Sequence, residues 1–149
     1  MINLKRASIA FVLALVAAIP AFGQGARSSL IGVWRMTSLQ VANSDGSVTE
    51  IPYSGQVVFS QEGILSVQAM DHDPHAEPTA YTRDGYEAYY GPVRIDEKGK
   101  TFTITVESSL VRNLIGQKLT RVFKVTGDQL MIMPVDTKET WRVSYERVR

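Results

Sequence analysis

Gly32-Val33-Trp34 opens a run of short alternating segments that continues to the end of the chain, and that run decides the fold class as all-β and antiparallel. Leu30 to Ala42 reads as a long first strand, closed by Asn43-Ser44-Asp45-Gly46, whose Asp-Gly step suits a tight turn with φ above zero. Val48 to Ile51 reads as a short return strand. Gly55 to Ser60 and Ile64 to Met70 flank Gln61-Glu62-Gly63, a three-residue hairpin loop with glycine in the left-handed position.

Asp71 to Pro78 is polar, carries two prolines and has no regular period. From Thr82 the spacing changes: Thr82, Tyr86 and Tyr89 or Tyr90 recur as on one helix face, so a short helix is expected, ending at Gly91-Pro92. Strands resume at Val93 to Asp96 and Thr101 to Glu107, joined by the turn Glu97-Lys98-Gly99-Lys100. Ser108 to Gly116 is a loop or a single helical turn. Gln117 to Thr126, Leu130 to Met133 and Thr140 to Val148 complete the set, with Gly127-Asp128 as another hairpin turn. About eight strands and one short helix predict an up-and-down barrel or a strongly curled sheet, with a two-sheet sandwich as the alternative. Closure removes the exposed strand edges that a barrel-less sheet would present.

Upstream, Lys5-Arg6 precedes an apolar stretch from Ala7 to Ile19 and the breaker Pro20, with small residues Ala21 and Gly23 placed for cleavage before Gln24. That order predicts a secretory leader over residues 1–23, a mature domain over 24–149, and a periplasmic or secreted location. The apolar stretch is shorter than the roughly 20 residues a helical span needs, so no membrane insertion is expected after cleavage. The chain has no cysteine and therefore neither a disulfide framework nor a site for lipid attachment. The fold must rest on its core, and at this length one domain is expected. Loss of Lys5 and Arg6 turns the formal charge of +1 into −1, and the other basic residues are scattered. No nucleic-acid partner is expected from such a distribution.

Alternation assigns faces. Phe102, Ile104 and Val106 share one face of their strand, Leu119, Arg121, Phe123 and Val125 one face of the next, and Trp141, Val143, Tyr145 and Arg147 one face of the last. Two arginines thus sit on apolar faces, where each needs a carboxylate, an aromatic ring or an anionic ligand. Arg147 or Arg121 stacking on Trp34 at a barrel end, Arg121 gripping a ligand's polar head, and a bulge that turns either outward all satisfy that need.

With these elements placed, the chain resembles the bacterial lipocalin-like domain family of small β-barrel proteins. The matching stretches are Leu30 to Arg35, Gly63 to Met70 with Ser66-Val67-Gln68 at its centre, Tyr86-Glu87-Ala88-Tyr89-Tyr90-Gly91, and Val106 to Leu110 with Asn113 and Gly116. Arg121-Val122-Phe123, Gly127 to Leu130 and Tyr145-Glu146-Arg147 follow in order. The resemblance implies a lipocalin-like barrel with an apolar interior able to take a small molecule, and it implies no metal and no particular ligand or reaction.

Three functions follow from this reading, with binding placed first. A small, mostly hydrophobic ligand would lie against Phe59, Phe102, Ile104, Leu119, Phe123 and Trp141. Its polar end would meet Arg121 and one or more of Tyr86, Tyr89 and Tyr90, with Ser66, Gln68 and Asn113 as further polar contacts. The tyrosine cluster, which includes Tyr81, reads either as a lid over the barrel mouth or as core. The second function is an isomerase, cyclase or hydratase in the same cavity with Glu107 as acid–base group; the third is a barrel filled by its own side chains in an envelope assembly. Both histidines, His72 and His75, lie in the Asp71–Glu77 loop, where Pro74 and the absence of a regular element leave zinc ligation without a fixed geometry. No cofactor pattern is present: glycine-rich phosphate loops and nucleophile elbows are missing from the sequence.

Overall fold

The computed structural model describes residues 28–149, so the expected leader and its cleavage point lie outside the described residues. Ten strands occupy them: β1 (Gly32–Ala42), β2 (Val48–Ile51), β3 (Tyr53–Phe59), β4 (Ile64–Asp71), β5 (Tyr86–Asp96), β6 (Thr101–Thr105), β7 (Ser108–Ser109), β8 (Lys118–Thr126), β9 (Gln129–Pro134) and β10 (Trp141–Arg147). Eight of them form a ring in the order β1-β3-β4-β5-β6-β8-β9-β10, and β10 returns to pair with β1. The barrel is therefore closed and antiparallel, not a sandwich. β2 extends the line of β3 beyond Pro52 along the far half of β1, and β7 resumes pairing with β5 after β6 breaks off at Val106-Glu107.

The short helix expected from Thr82 to Gly91 does not form. That stretch holds instead a tight turn, with Arg83 and Tyr86 exchanging backbone hydrogen bonds at 2.9 Å each way, and the first half of β5. Asp84 and Gly85 both take positive φ, 52° and 72°, as the central pair of a hairpin turn requires. The helical spacing of the tyrosines was coincidental. Glu87, Tyr89 and Gly91 face inward, Tyr86, Ala88 and Tyr90 outward, and a carboxylate inside with tyrosines outside hides the period of two. Gly91 is required by a close approach: a Cβ there would collide with the carbonyl oxygen of Thr105 where β6 bends away. The only helical turn among the described residues is a single 3-10 turn at Arg112–Leu114, inside the segment read as a loop or helical turn.

One end of the barrel is sealed. Leu30 and Trp34 have no exposed surface, and the indole Nε1 donates to the Leu30 carbonyl at 2.8 Å. Below the midline Phe59, Ile104, Phe123 and Leu130 fill the interior, with Phe59 edge-on to Phe102 at 5.2 Å between ring centroids. Glu97, in the β5–β6 turn, holds the N-terminal segment against this end by accepting from Ser28 Oγ (2.6 Å), Ser29 N (2.7 Å) and Ser29 Oγ (3.0 Å). A bulge at Thr37 changes the parity of β1, so that Trp34 and Met36 on one side of it and Leu39 and Val41 on the other all face inward.

Candidate functional site

Above the packed half the strands enclose a cavity of about 340 Å³. Phe102 belongs to its floor, and Met36, Leu39, Val57, Val67, Ile132 and Val143 supply apolar wall from five strands. The segment between β4 and β5 contributes Thr79, Tyr81 and Thr82. Thr79 and Thr82 brace one another there: the Thr79 N–H donates to Thr82 Oγ1 at 2.9 Å and the Thr82 N–H to Thr79 Oγ1 at 3.1 Å. A second hollow at the rim, near Pro134 and Trp141, is an open depression outside the barrel wall.

Strand parity places two charged side chains in the cavity. Arg121 enters from β8 directly across from Phe102, and Glu87 enters from β5. The guanidinium donates to the Thr120 carbonyl and to the Tyr81 hydroxyl, each at 3.0 Å. Its carbon stands 5.5 Å from the Tyr81 ring centre and 5.2 Å from that of Trp141, between two aromatic faces. No carboxylate lies within ion-pairing distance of Arg121 among the described residues. The Trp141 indole is held by its Nε1–H donating to Glu139 at 2.8 Å.

Burial pushes the Glu87 carboxyl up to about 7, against the opposing pull of the Arg121 charge and a hydrogen bond from Tyr89. Tyr53 is pushed up to about 12, first by burial and then by the charges of Glu87 and Asp71. Burial also raises the Tyr89 and Tyr145 hydroxyls well above the usual tyrosine range. At neutral pH the cavity therefore holds the un-ionised phenols of Tyr53, Tyr89 and Tyr145, the Arg121 cation, and in Glu87 a carboxyl that gains or loses a proton near neutrality, with Glu139 as a second carboxyl in the lining.

Of the residues read from sequence as ligand contacts, the structure brings Arg121, Tyr89, Phe102 and Trp141 to the cavity. Ile104 and Phe123, with Phe59 and Leu119, lie in the packed half below it, because the barrel is filled on that side. Tyr86 and Tyr90 are exposed on the outer surface of β5, since their parity is opposite to that of Tyr89. Ser66 and Gln68 share the outer face of β4, where Gln68 accepts from Gln56 at 2.9 Å. Asn113, in the 3-10 turn, is exposed and does not line the cavity. Glu107 is exposed beyond the end of β6 and reaches no part of the interior. His72 exchanges a hydrogen bond with Ser54 at 2.8 Å and His75 faces solvent. Among the described residues no three His, Asp or Glu side chains converge as metal ligands do.

Among the ionisable cavity groups, Glu87, Tyr53, Tyr145 and Glu139 were not singled out as ligand contacts from the sequence, and Tyr81 entered only in the reading of the tyrosine cluster as a lid or as core. Tyr145 shares the assigned face of Trp141 and Val143, and Tyr53 extends the inward alternation of Val57 and Phe59, so both were legible by parity. Glu87 becomes legible once Asp84-Gly85 is recognised as a hairpin turn that starts a strand at Tyr86.

A closed eight-stranded antiparallel barrel, sealed at one end by its first strand and hollow at the other, defines a lipocalin-type barrel. The chain belongs to the lipocalin-like domain family, whose model matches residues 31–147. Among solved structures it is similar to an uncharacterized protein from Bacteroides eggerthii, at 15% identity and a TM-score of 0.48, covering 80% of this chain and 100% of that one. It is also similar to two mutants of the fluorescent protein UnaG: one at 14% identity and TM-score 0.41 (80% and 96% of the two chains), the other at 12% and 0.39 (79% and 95%). No curated protein sequence matches it.

Proposed function

We propose that this protein is an exported carrier or receptor that binds one small, mostly hydrophobic molecule inside the barrel. The observation that carries the reading is the cavity. Its volume, about 340 Å³, lies within the range of small-molecule sites, and its wall is apolar with a few convergent polar groups. A barrel filled by its own side chains would leave no such space. The lipocalin-like barrel fold commonly binds small hydrophobic ligands, and Arg121 in the cavity lining would anchor the polar end of such a molecule. The leader pattern of residues 1–23 supports the export part of this reading, with residues 24–149 as the working protein in the periplasm or outside the cell.

Native mass spectrometry of the protein purified from its own host tests the reading. A small molecule bound at one per chain, and released on mild unfolding, is the expected result; its mass names the ligand class. An empty barrel that also takes up no apolar probe would return the protein to a structural role. The same spectrum reads the mature N-terminus, expected at Gln24.

A further inference from the structure

The two inward arginines are not equivalent. Arg147 finds its partners within the protein: its Nη atoms donate to the carbonyls of Ile31 and Ser29 at 2.8 Å each, its Nε faces Asp128 at 3.7 Å, and its plane covers Trp34. Arg121 has two acceptors, both neutral, no carboxylate within ion-pairing distance among the described residues, and a place in the cavity lining. A cation turned into an apolar space without a counter-ion is a binding site for an anion.

We infer that this cavity takes an amphipathic monoanion, an organic molecule with a single acidic head, and seats that head between the Arg121 guanidinium and the Glu87 carboxyl. This rests on the proposed binding function and adds the ligand's charge. With Glu87 protonated, the Arg121 charge meets the head unopposed by Glu87, which donates a hydrogen bond to it; with Glu87 ionised, its charge offsets that of Arg121 and repels a second anion. The ionisable groups around Glu87 are Tyr89 on its own strand, Arg121 from β8, Tyr81 from the β4–β5 segment, Tyr145 from β10 and Tyr53 from β3, with Glu139 and Asp71 toward the rim. Burial raises the Tyr53, Tyr89 and Tyr145 hydroxyls, so these stay neutral in the range where Glu87 titrates. Replacing Glu87 therefore isolates its own contribution to any pH effect.

Two fluorescent probes of one scaffold make the test: anilinonaphthalenesulfonate, whose charge is constant over the working range, and the neutral N-phenylnaphthylamine. Each is titrated into the delipidated protein at about pH 5.5 and about pH 8.5. The expected result is sulfonate affinity lower at the higher pH by on the order of tenfold, with the neutral probe unchanged. Glu87→Gln should bind the sulfonate equally at both, and Arg121→Met, or Arg121→Gln if that variant folds poorly, should lose the sulfonate while keeping the neutral probe. A bound neutral probe with no preference for the sulfonate at the lower pH, or a pH effect that survives Glu87→Gln, overturns the monoanion site and leaves the binding function standing. Failure of both probes to bind overturns the binding function itself.

Discussion

The Arg147 guanidinium carbon stands 4.0 Å from the centre of the Trp34 ring, so the last strand of the barrel closes over a residue near the start of the first. This contact seals one end and joins the two termini of the domain. It holds together three things at once: the aromatic plug, the carbonyls of Ser29 and Ile31, and the Asp128 carboxylate of the β8–β9 turn.

Arg147→Met should therefore lower the unfolding free energy by about 2–4 kcal/mol, because it strands two part-buried carbonyls and uncovers the indole. Arg121→Met, by contrast, should cost less than about 1 kcal/mol, since it removes a cation with no counter-ion. Urea unfolding of both variants checks the contrast. Equal losses would mean that Arg121 is as structural as Arg147.

Gly91→Ala should destabilise the barrel by about 2–3 kcal/mol, because the added Cβ meets backbone, the Thr105 carbonyl, which cannot rotate away. A Val93→Ala substitution two residues on supplies the comparison for ordinary loss of apolar contact. Thermal unfolding that left Gly91→Ala at the native midpoint would show that β6 can shift.

Glu97 is the clamp on the N-terminal segment. Burial opposes its charge, but hydrogen bonds from Ser28, Lys100 and Ser29 hold its carboxyl down at about 2. A depressed carboxyl contributes stability that is present above its unfolded value of about 4.5 and is lost as the pH falls toward about 2. Glu97→Gln should cost about 1 kcal/mol at pH 7, a figure reduced for the exposure of the side chain, and the two proteins should converge in acid. A constant gap down to low pH would assign the loss to packing instead.

Glu87 has the opposite sign. Its carboxyl is raised to about 7, so the folded protein binds a proton that the unfolded chain has released above about 4.5. Stability should fall as the pH rises from about 4.5 to about 7 and then level off. Glu87→Gln should remove that slope and be the more stable protein at pH 8 by about 2–3 kcal/mol. Denaturation midpoints at several pH values decide; parallel curves for the two proteins would mean that Glu87 ionises as freely folded as unfolded.

Much of the barrel was legible because strand alternation and turn chemistry are local. The Asp-Gly and Gly-Asp turns, the alternation of Phe102 and Ile104, and the inward face of Trp141, Val143, Tyr145 and Arg147 were readable from the residues themselves, and the structure keeps each face. The first half of β5 was misread for the same reason, since its periodicity is carried by residues that break the apolar-in rule. Glu87 faces in and Tyr86 and Tyr90 face out. The candidate site was legible only in part. Parity named Arg121, Phe102 and Trp141 as inward, yet parity carries no information about height along the barrel, so Ile104 and Phe123 were grouped with residues that line the cavity although they pack beneath it.

The sequence by itself determined the class of fold and, outside the first half of β5, which side chains share the inward face of a strand, because turns and period-two alternation depend on neighbours in the chain. Only the tertiary structure decided that the ring closes through β1 and β10, that one half is filled and the other hollow, and that Arg147 covers Trp34 while Arg121 shares the cavity with Glu87. Those outcomes depend on residues brought together from distant strands. Whether an inward arginine finds its partners in the protein or waits for one is set by what the opposite wall of the barrel presents.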